Sequence, residues 1–443
     1  MQRRRFLGLA AAAAAAQSLP YARAFVATNE SLAFPGGNAR WRPMWDDALA
    51  TLAANVVTLP HFDRPVLIEG AVYEGVWQEC GPQEGLVYAS LDWGSAARGA
   101  KGLPPTPSQI AIDNHMAFFA LQREDGQLPA SVKRSEVGFA QIQMVVPIAA
   151  TAWEVAQISK DDEFLSTAYV ACSRWDAWLR RYRNTRGTGL VEGFCTYDTG
   201  QDNSPRWAGM PKRCPNGDAR VCPPVPSLPR LCPDLSATVY GGRVALAAMA
   251  RALGKPAEGA RWEEDAETIR RLIIEKLYSP EDAAFFDLNA QNRFVKVRGT
   301  AITRVLGEHV LKPADAHDRR IFDEVWRRQI HNPDAFWAPY PFPSIALNDP
   351  AFVRPIPRNS WGGAAQALTA LRAPRWMTFY GKQAELRHLM RQWVEALVAS
   401  HGFRQQMDPM TGAFTMVDPG GYSPAALVYL DFVRRIAADE QLK

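Results

Sequence analysis

Histidine is scarce, with 7 in 443 residues. None is spaced as H-E-x-x-H, which removes the helix-borne zinc hydrolases. The 6 cysteines include no C-x-x-C pair, so zinc ribbons lack their ligand spacing. No G-x-G-x-x-G opens a helix after a strand and no G-K-[ST] loop occurs, which disfavours nucleotide folds. No D-x-[DN]-x-[DN]-G calcium loop is present. The apolar run Gly8 to Ala16 is too short to span a membrane. Net charge is nearly missing as well. The formal +4 is carried by Arg3, Arg4, Arg5 and Arg23, and without them it falls to zero. A neutral chain has no electrostatic footprint for nucleic acid. These absences call for no cofactor, no metal, no nucleic-acid partner and no membrane anchor.

What is present begins with a targeting segment. Arg3-Arg4-Arg5-Phe6-Leu7 fits the twin-arginine pattern R-R-x-F-L, and Ala22-Arg23-Ala24 reads as an A-x-A cleavage site. Residues 1–24 are therefore expected to be a signal peptide taken up by the twin-arginine export machinery, with the mature chain starting at Phe25 in the periplasm or beyond. Export would place the cysteines in an oxidising compartment, where pairing is open to them. Cys214, Cys222 and Cys232 lie in a proline-rich stretch from Pro211 to Pro233 that reads as an insertion, and a disulfide within it would limit its freedom. Cys80, Cys172 and Cys195 read as buried thiols. Connectivity does not follow from spacing.

Helical periodicity dominates the rest. Leu386, Leu389, Trp393 and Leu397 share a face between Lys382 and Ser400. Leu165, Cys172, Trp175 and Leu179 do the same between Asp161 and Arg183. Helices are expected from Asp234 to Leu253, with Asp234 as the cap and Gly254 as the stop, and from about Ala257 to Leu277. Paired helices with short turns recur from about residue 105 onward, the grammar of helical hairpins. Polar and aromatic residues gather in the intervening stretches 66–85, 192–207, 337–361 and 403–422. His115 reads as a structural histidine.

The densest such stretch is Asp198-Thr199-Gly200-Gln201-Asp202-Asn203-Ser204-Pro205-Arg206-Trp207. It combines carboxylates, amides, a guanidinium and an aromatic, a set suited to sugar hydroxyls and an apolar ring face. It resembles the E-S-G-W-D-N-S-P-R-W signature of (α/α)6-barrel glycosidases, the clan of processing α-glucosidases, trehalases and mannosylglycerate hydrolases. Further stretches match in the same order. Gln122 to Pro129 resembles Q-x-x-D-G-x-[IL]-P, and Pro343 to Phe352 resembles P-S-x-A-x-D-x-P-x-F. Asn359 to Gly363 falls on a W-x-G segment, and Phe403 to Gly412 on F-x-E-Q-Y-D-P-x-T-G. The resemblance runs from about residue 65 to 435. It implies an all-α (α/α)6 toroid over residues 65–443, preceded by a short segment 25–64.

The resemblance also implies roles. Asp202 falls on the general acid, and Asp198 on the family's first acid, four residues before it. Asp198 is expected to supply the charge that raises the Asp202 pKa. Two positions depart from the pattern. Gln201 stands where the family has Trp, and Gln405 stands where it has its catalytic base, a role an amide cannot fill. Glu79, in Glu74-Gly75-Val76-Trp77-Gln78-Glu79-Cys80, is the leading replacement base or a sugar-hydroxyl acceptor, and Asp408 is the second candidate. Gln405 and Gln406 are candidates to hold a water or a sugar hydroxyl, as are Asn203 and Arg206. Trp77, Trp207, Trp337, Tyr340 and Trp361 are candidates for stacking on sugar rings.

Three functions fit these residues. The first is an exported glycosidase acting by inversion on a small glycoside or an oligosaccharide end. The second is a carbohydrate-binding protein on the same fold without turnover, and the third is a sugar epimerase or lyase on a helical toroid. A lyase or epimerase needs a His or Tyr base in the pocket. The D-x-G-x-D-N-S-P-R-W match from Asp198 to Trp207 argues against this third reading, and the glycosidase is the leading one.

Overall fold

The computed structural model describes residues 32–91, 106–354, 361–415 and 420–441. The expected leader and the pair Asn359–Ser360 lie outside the described residues. Within them, twelve α-helices alternate between an outer and an inner layer. The outer helices are α1 (Arg42–Ala54), α3 (Pro107–Phe119), α5 (Asp162–Tyr182), α7 (Pro256–Leu277), α9 (Ala316–Val325) and α11 (Gln383–Ser400). The inner helices are α2 (Gly81–Ser90), α4 (Ile148–Ser159), α6 (Pro233–Ala252), α8 (Ala301–Gly307), α10 (Ala367–Phe379) and α12 (Ser423–Gln441). Each inner helix touches the next in chain order, and α12 touches α2, so six inner helices close a ring. This is the expected (α/α)6 toroid.

Composition separates the layers. Every residue of α2 but the last is buried, whereas α5 and α11 bury one stripe and expose the other. A helix enclosed on all sides has no need for a polar face, and a surface helix does. The helix ends follow local chemistry. Asp161 caps α5 by accepting from Phe164 N at 2.8 Å, and Thr106 caps α3. The start of α6 differs from expectation: Cys232 is the cap residue, Pro233 takes the first turn, and Asp234 lies inside it. Proline is pre-organised for that position. The stretch 66–85 is also not wholly irregular, because α2 begins at Gly81.

The expected domain boundary at residue 65 falls inside the ring. Helix α1 packs along α12, and Tyr429 of α12 donates to the Trp41 carbonyl at 2.5 Å. Residues 42–64 are therefore part of the barrel.

The connections are lopsided. Inner helices return to outer ones through the short turns 160–161, 253–255, 308–315 and 380–382. Outer helices lead into inner ones through the long segments 55–80, 120–147, 183–232, 278–300, 326–366 and 401–422. The described parts of these segments therefore sit at one end of the ring, where the inner helices have their N-termini. Small antiparallel ladders tie them together. Trp77 in the strand Gly75–Trp77 opposes Ser131 in the strand Ser131–Lys133. Gln366 in the strand Ala365–Gln366 opposes Gln406 in the strand Gln406–Met407. No helix among the described residues is long and apolar enough to cross a membrane.

Candidate active site

The loop ahead of α6 is anchored by its own charged residues. Asp198 is fully buried and accepts from Arg183 Nη1 at 2.5 Å and Nη2 at 3.1 Å. It also accepts from the backbone N–H of Ile142, Phe194 and Cys195 at 2.9, 2.7 and 3.2 Å. Breaking a buried ion pair of this kind costs about 3–5 kcal/mol. Asp198 thus holds the loop and does not face a ligand. Arg206 is likewise occupied, with Asp234 at 2.7 Å and Asp287 at 2.5 Å and the Gln201 side-chain Oε1 at 3.1 Å. Gln201 in turn donates to Thr300 Oγ1 at 2.8 Å. Trp207 is buried, and its indole N–H donates to Thr199 Oγ1 at 2.9 Å. Three of the loop's candidates for substrate contact, Asp198, Arg206 and Trp207, are therefore internal braces.

What the braces present is Asp202. Burial raises its carboxyl to about 6, against the pull of Lys212 and Arg213. Asp198 has no part in that shift, contrary to expectation, because its charge is neutralised by Arg183. Asn203, next in the chain, is exposed with a left-handed backbone.

Glu79 lies against this loop. A Cβ built on Gly200 would stand 1.7 Å from Glu79 Oε2, and Gly200 has φ +60°, so only glycine allows the carboxylate so near. Burial raises Glu79 to about 7, the Asp202 charge adds to the shift, and Arg372 and Arg304 oppose it. Gln143 Nε2 donates to Glu79 Oε2 at 3.3 Å. Arg372 donates to the Glu79 carbonyl at 2.7 Å and to Gln83 Oε1 at 3.0 Å. Arg304 donates to the Thr199 carbonyl at 2.6 Å and lies over the Trp361 ring at 5.5 Å.

Two more buried carboxyls join them, and neither was expected from sequence. Glu69 follows the strand Phe62–Leu67 and accepts from the Tyr422 hydroxyl at 2.7 Å. Its carboxylate, that of Glu79 and the Cys80 sulfur lie within 4.8 Å of one another. Burial first, then Glu84 and Glu79, push Glu69 well above the usual range. Glu84 on α2 is fully buried, and neither oxygen has an ordinary hydrogen-bond partner; the weak Cys80 thiol stands beside it, and burial raises it to about 8. The one sequence signal for Glu69 was a lone acid ending the apolar run Val66-Leu67-Ile68.

The carboxyls have a cost in stability. Glu84 binds its proton more tightly in the folded chain, so its contribution is complete below about pH 4.5 and is lost as pH rises through about 8. Glu84→Gln is expected to raise the melting temperature by about 2–4 °C at pH 8.5 and to leave it unchanged at pH 5. Thermal melts of both proteins at the two pH values test this, and an equal difference at both would refute it.

The remaining candidates divide. Gln405 is buried, and its Oε1 accepts from the Tyr73 hydroxyl at 2.9 Å. Tyr73 is influenced by Glu69, Asp202 and Glu79, and their charges with burial keep its proton in place. Its ring meets Trp77 edge-on at 5.7 Å. Trp77 packs with Cys80, Trp361 and Leu368. Glu79, Asp202, Gln405, Trp77 and Trp361 are thus brought to one place. Gln406 is not free to bind sugar: its Oε1 accepts from Gln366 at 3.0 Å and its Nε2 donates to Thr415 at 2.6 Å. Tyr340 lines a separate surface groove with Arg404, Gly412 and Phe414. Trp337 packs against Phe342 and His388. Asp408 accepts from Met410 N at 2.7 Å in a turn, so it is a turn residue and not the base. His115 is buried between the Ala111 carbonyl and Thr151 Oγ1, at 2.7 and 2.8 Å.

The fold has solved counterparts. The mannosylglycerate hydrolase of Thermus thermophilus, solved with glucose, superposes with a TM-score of 0.64 at 18% identity, covering 88% of this chain and 99% of its own. The neutral trehalase of Saccharomyces cerevisiae gives 0.60 at 12% identity, over 88% and 81%. A rhamnosidase of Bacillus sp. GL1 gives 0.57 at 12% identity, over 90% of this chain and 35% of that one. No curated protein matches in sequence. Residues 92–424 match the model of the mannosylglycerate hydrolase MGH1-like glycoside hydrolase domain. That match spans most of the ring and takes in Asp202, and by it the chain belongs to this glycoside hydrolase family.

Proposed function

We propose that the protein is an exported glycosidase that releases a sugar from a small glycoside or an oligosaccharide end by inversion, with Asp202 as general acid and Glu79 as base. The observation that carries this reading is the pair itself. Two carboxyls, Asp202 half-buried and Glu79 buried, are raised to about 6 and about 7, the second in part by the charge of the first. Between those values they share one proton. The order of the two alone puts it on Glu79, and it is the place of Asp202 in the D-N-S-P-R-W match that gives it the acid's role. The Glu69 and Tyr422 pair braces the Glu79 side, and Trp77 and Trp361 offer apolar faces for a sugar ring. The size of the substrate is argued from the named substrate of the Thermus enzyme, a sugar joined to a small acid. The test is a panel of disaccharides and aryl glycosides, with the anomer of the released sugar followed by NMR. Initial release of the retained anomer would overturn inversion, and binding without turnover across the panel would overturn the enzyme reading.

Gln405 favours the second reading, a sugar-binding protein that has lost turnover, because it puts an amide at the family's base position. With Glu79 as base, Gln405→Glu is expected to lower turnover by about tenfold, since a further buried carboxyl raises Glu79 again. A gain in turnover would instead mark a retired hydrolase. Export rests on the leader. Replacing Arg3 and Arg4 by Lys is expected to strand the precursor in the cytoplasm, and undiminished periplasmic protein on fractionation would defeat that proposal.

A further inference from the structure

Cys195 and Cys214 meet directly in front of the Asp202 loop. Their sulfurs are 3.8 Å apart, in van der Waals contact, and both side chains are buried with Phe194. The backbones that carry them are already joined, with Thr196 N donating to the Pro211 carbonyl at 2.9 Å and Tyr197 N to the Lys212 carbonyl at 3.1 Å. Backbone segments at that spacing bring side chains within reach of a disulfide. Cys222 packs against the edge of this cluster, but its sulfur, like that of Cys232, has a backbone carbonyl as its hydrogen-bond partner. Cys222 points to the Pro223 carbonyl at 3.6 Å and Cys232 to the Arg230 carbonyl at 3.5 Å. The pairing within the 214–232 stretch that the sequence suggested is therefore not the one the fold favours. The Asp198 carboxylate also approaches both sulfurs, but Arg183 holds both of its oxygens and lies 3.7 Å from Cys214 Sγ. A metal ion there would have to displace a guanidinium.

We propose that Cys195 and Cys214 form a disulfide in the mature protein, strapping the acid-bearing loop to the segment Pro211–Cys214. The chemistry is thiol–disulfide exchange with an external disulfide, such as oxidised glutathione or an oxidoreductase. One thiolate attacks that disulfide and displaces a thiol, and the second thiolate displaces the other. The two cysteines lose two protons and two electrons, and the external disulfide is reduced to two thiols. The bond closes a loop of about 20 residues, which restricts the unfolded chain. It also fixes Lys212 and Arg213, the cations that oppose the burial of Asp202, at a set distance from that acid. The position of these charges then depends on a covalent strap and not on loop packing alone.

The test uses the mature chain, unfolded with reductant and refolded in a glutathione redox buffer, so that burial cannot shield the thiols. Free thiols are alkylated, and the digest is mapped by mass spectrometry. The expected result is a linked pair of peptides carrying Cys195 and Cys214, lighter by two hydrogens, with Cys80, Cys172 and Cys232 alkylated. Alkylation of both Cys195 and Cys214, or a Cys214–Cys222 link, overturns the proposal. The oxidised protein is expected to melt about 2–4 °C above the reduced one, and Cys214→Ser is expected to remove that difference. A difference that persists in Cys214→Ser overturns it as well. The mapping reads sulfur alone, so failure of the glycosidase or export reading would leave its outcome unaffected.

Discussion

Asp202→Asn is expected to lower kcat by about 10²–10⁴-fold while leaving sugar binding nearly intact. The amide keeps the shape of the side chain and removes the proton it transfers. With Asp202 as the proposed general acid, that proton is given up only as the glycosidic bond breaks, so kcat and kcat/KM should fall together. The substitution has a second signature. The Asp202 charge raises Glu79, so its removal should move Glu79 downward and shift what remains of the pH–rate profile to lower pH. Single-turnover kinetics with calorimetric binding separate these effects. Full hydrolytic activity in Asp202→Asn would sink the assignment of roles.

Gly200→Ala is the second large effect, and it removes no titratable group. The new methyl would lie 1.7 Å from Glu79 Oε2 and 2.8 Å from its Cδ, well inside any real contact, so the carboxylate must move by more than an ångström. The backbone at φ +60° adds about 1–2 kcal/mol of strain for a residue with a Cβ. Misplacement of a reacting group by this much costs on the order of 10²-fold in rate. The variant should therefore fold, melt a few degrees lower and turn over about 10²-fold more slowly. A double-mutant cycle isolates the cause. In a Glu79→Gln background the same methyl should cost little further activity, because the group it displaces no longer works. Additive losses would show that Gly200 acts through something other than Glu79.

The toroid was legible in the sequence because its signals are local. Apolar residues repeat along α5, α7 and α11, and Gly254 marks where α6 stops. The loop around Asp202 was legible through its resemblance to a known signature. The signature did not say which of its polar side chains turn inward. Asp198 is satisfied by Arg183, and Arg206 by Asp234 and Asp287. A decapeptide rich in charge looks like a binding surface until the partners of those charges, far away in sequence, are placed. Glu69 and Tyr422 were missed for the same reason: their hydrogen bond joins residues near opposite ends of the chain. The start of the barrel was set too late because α1 finds its neighbour in the last helix.

That late partner has a consequence for how the enzyme comes into being. Glu69 and Glu79 leave the ribosome early, Asp202 midway, and Gln405 and Tyr422 close to the end. Until α12 emerges and docks between α2 and α10, the ring has a gap, Glu69 lacks its tyrosine and Tyr73 lacks the amide it holds. A nascent chain therefore carries its acidic residues through most of synthesis without a site to hold them, and catalytic competence arrives with the last helix.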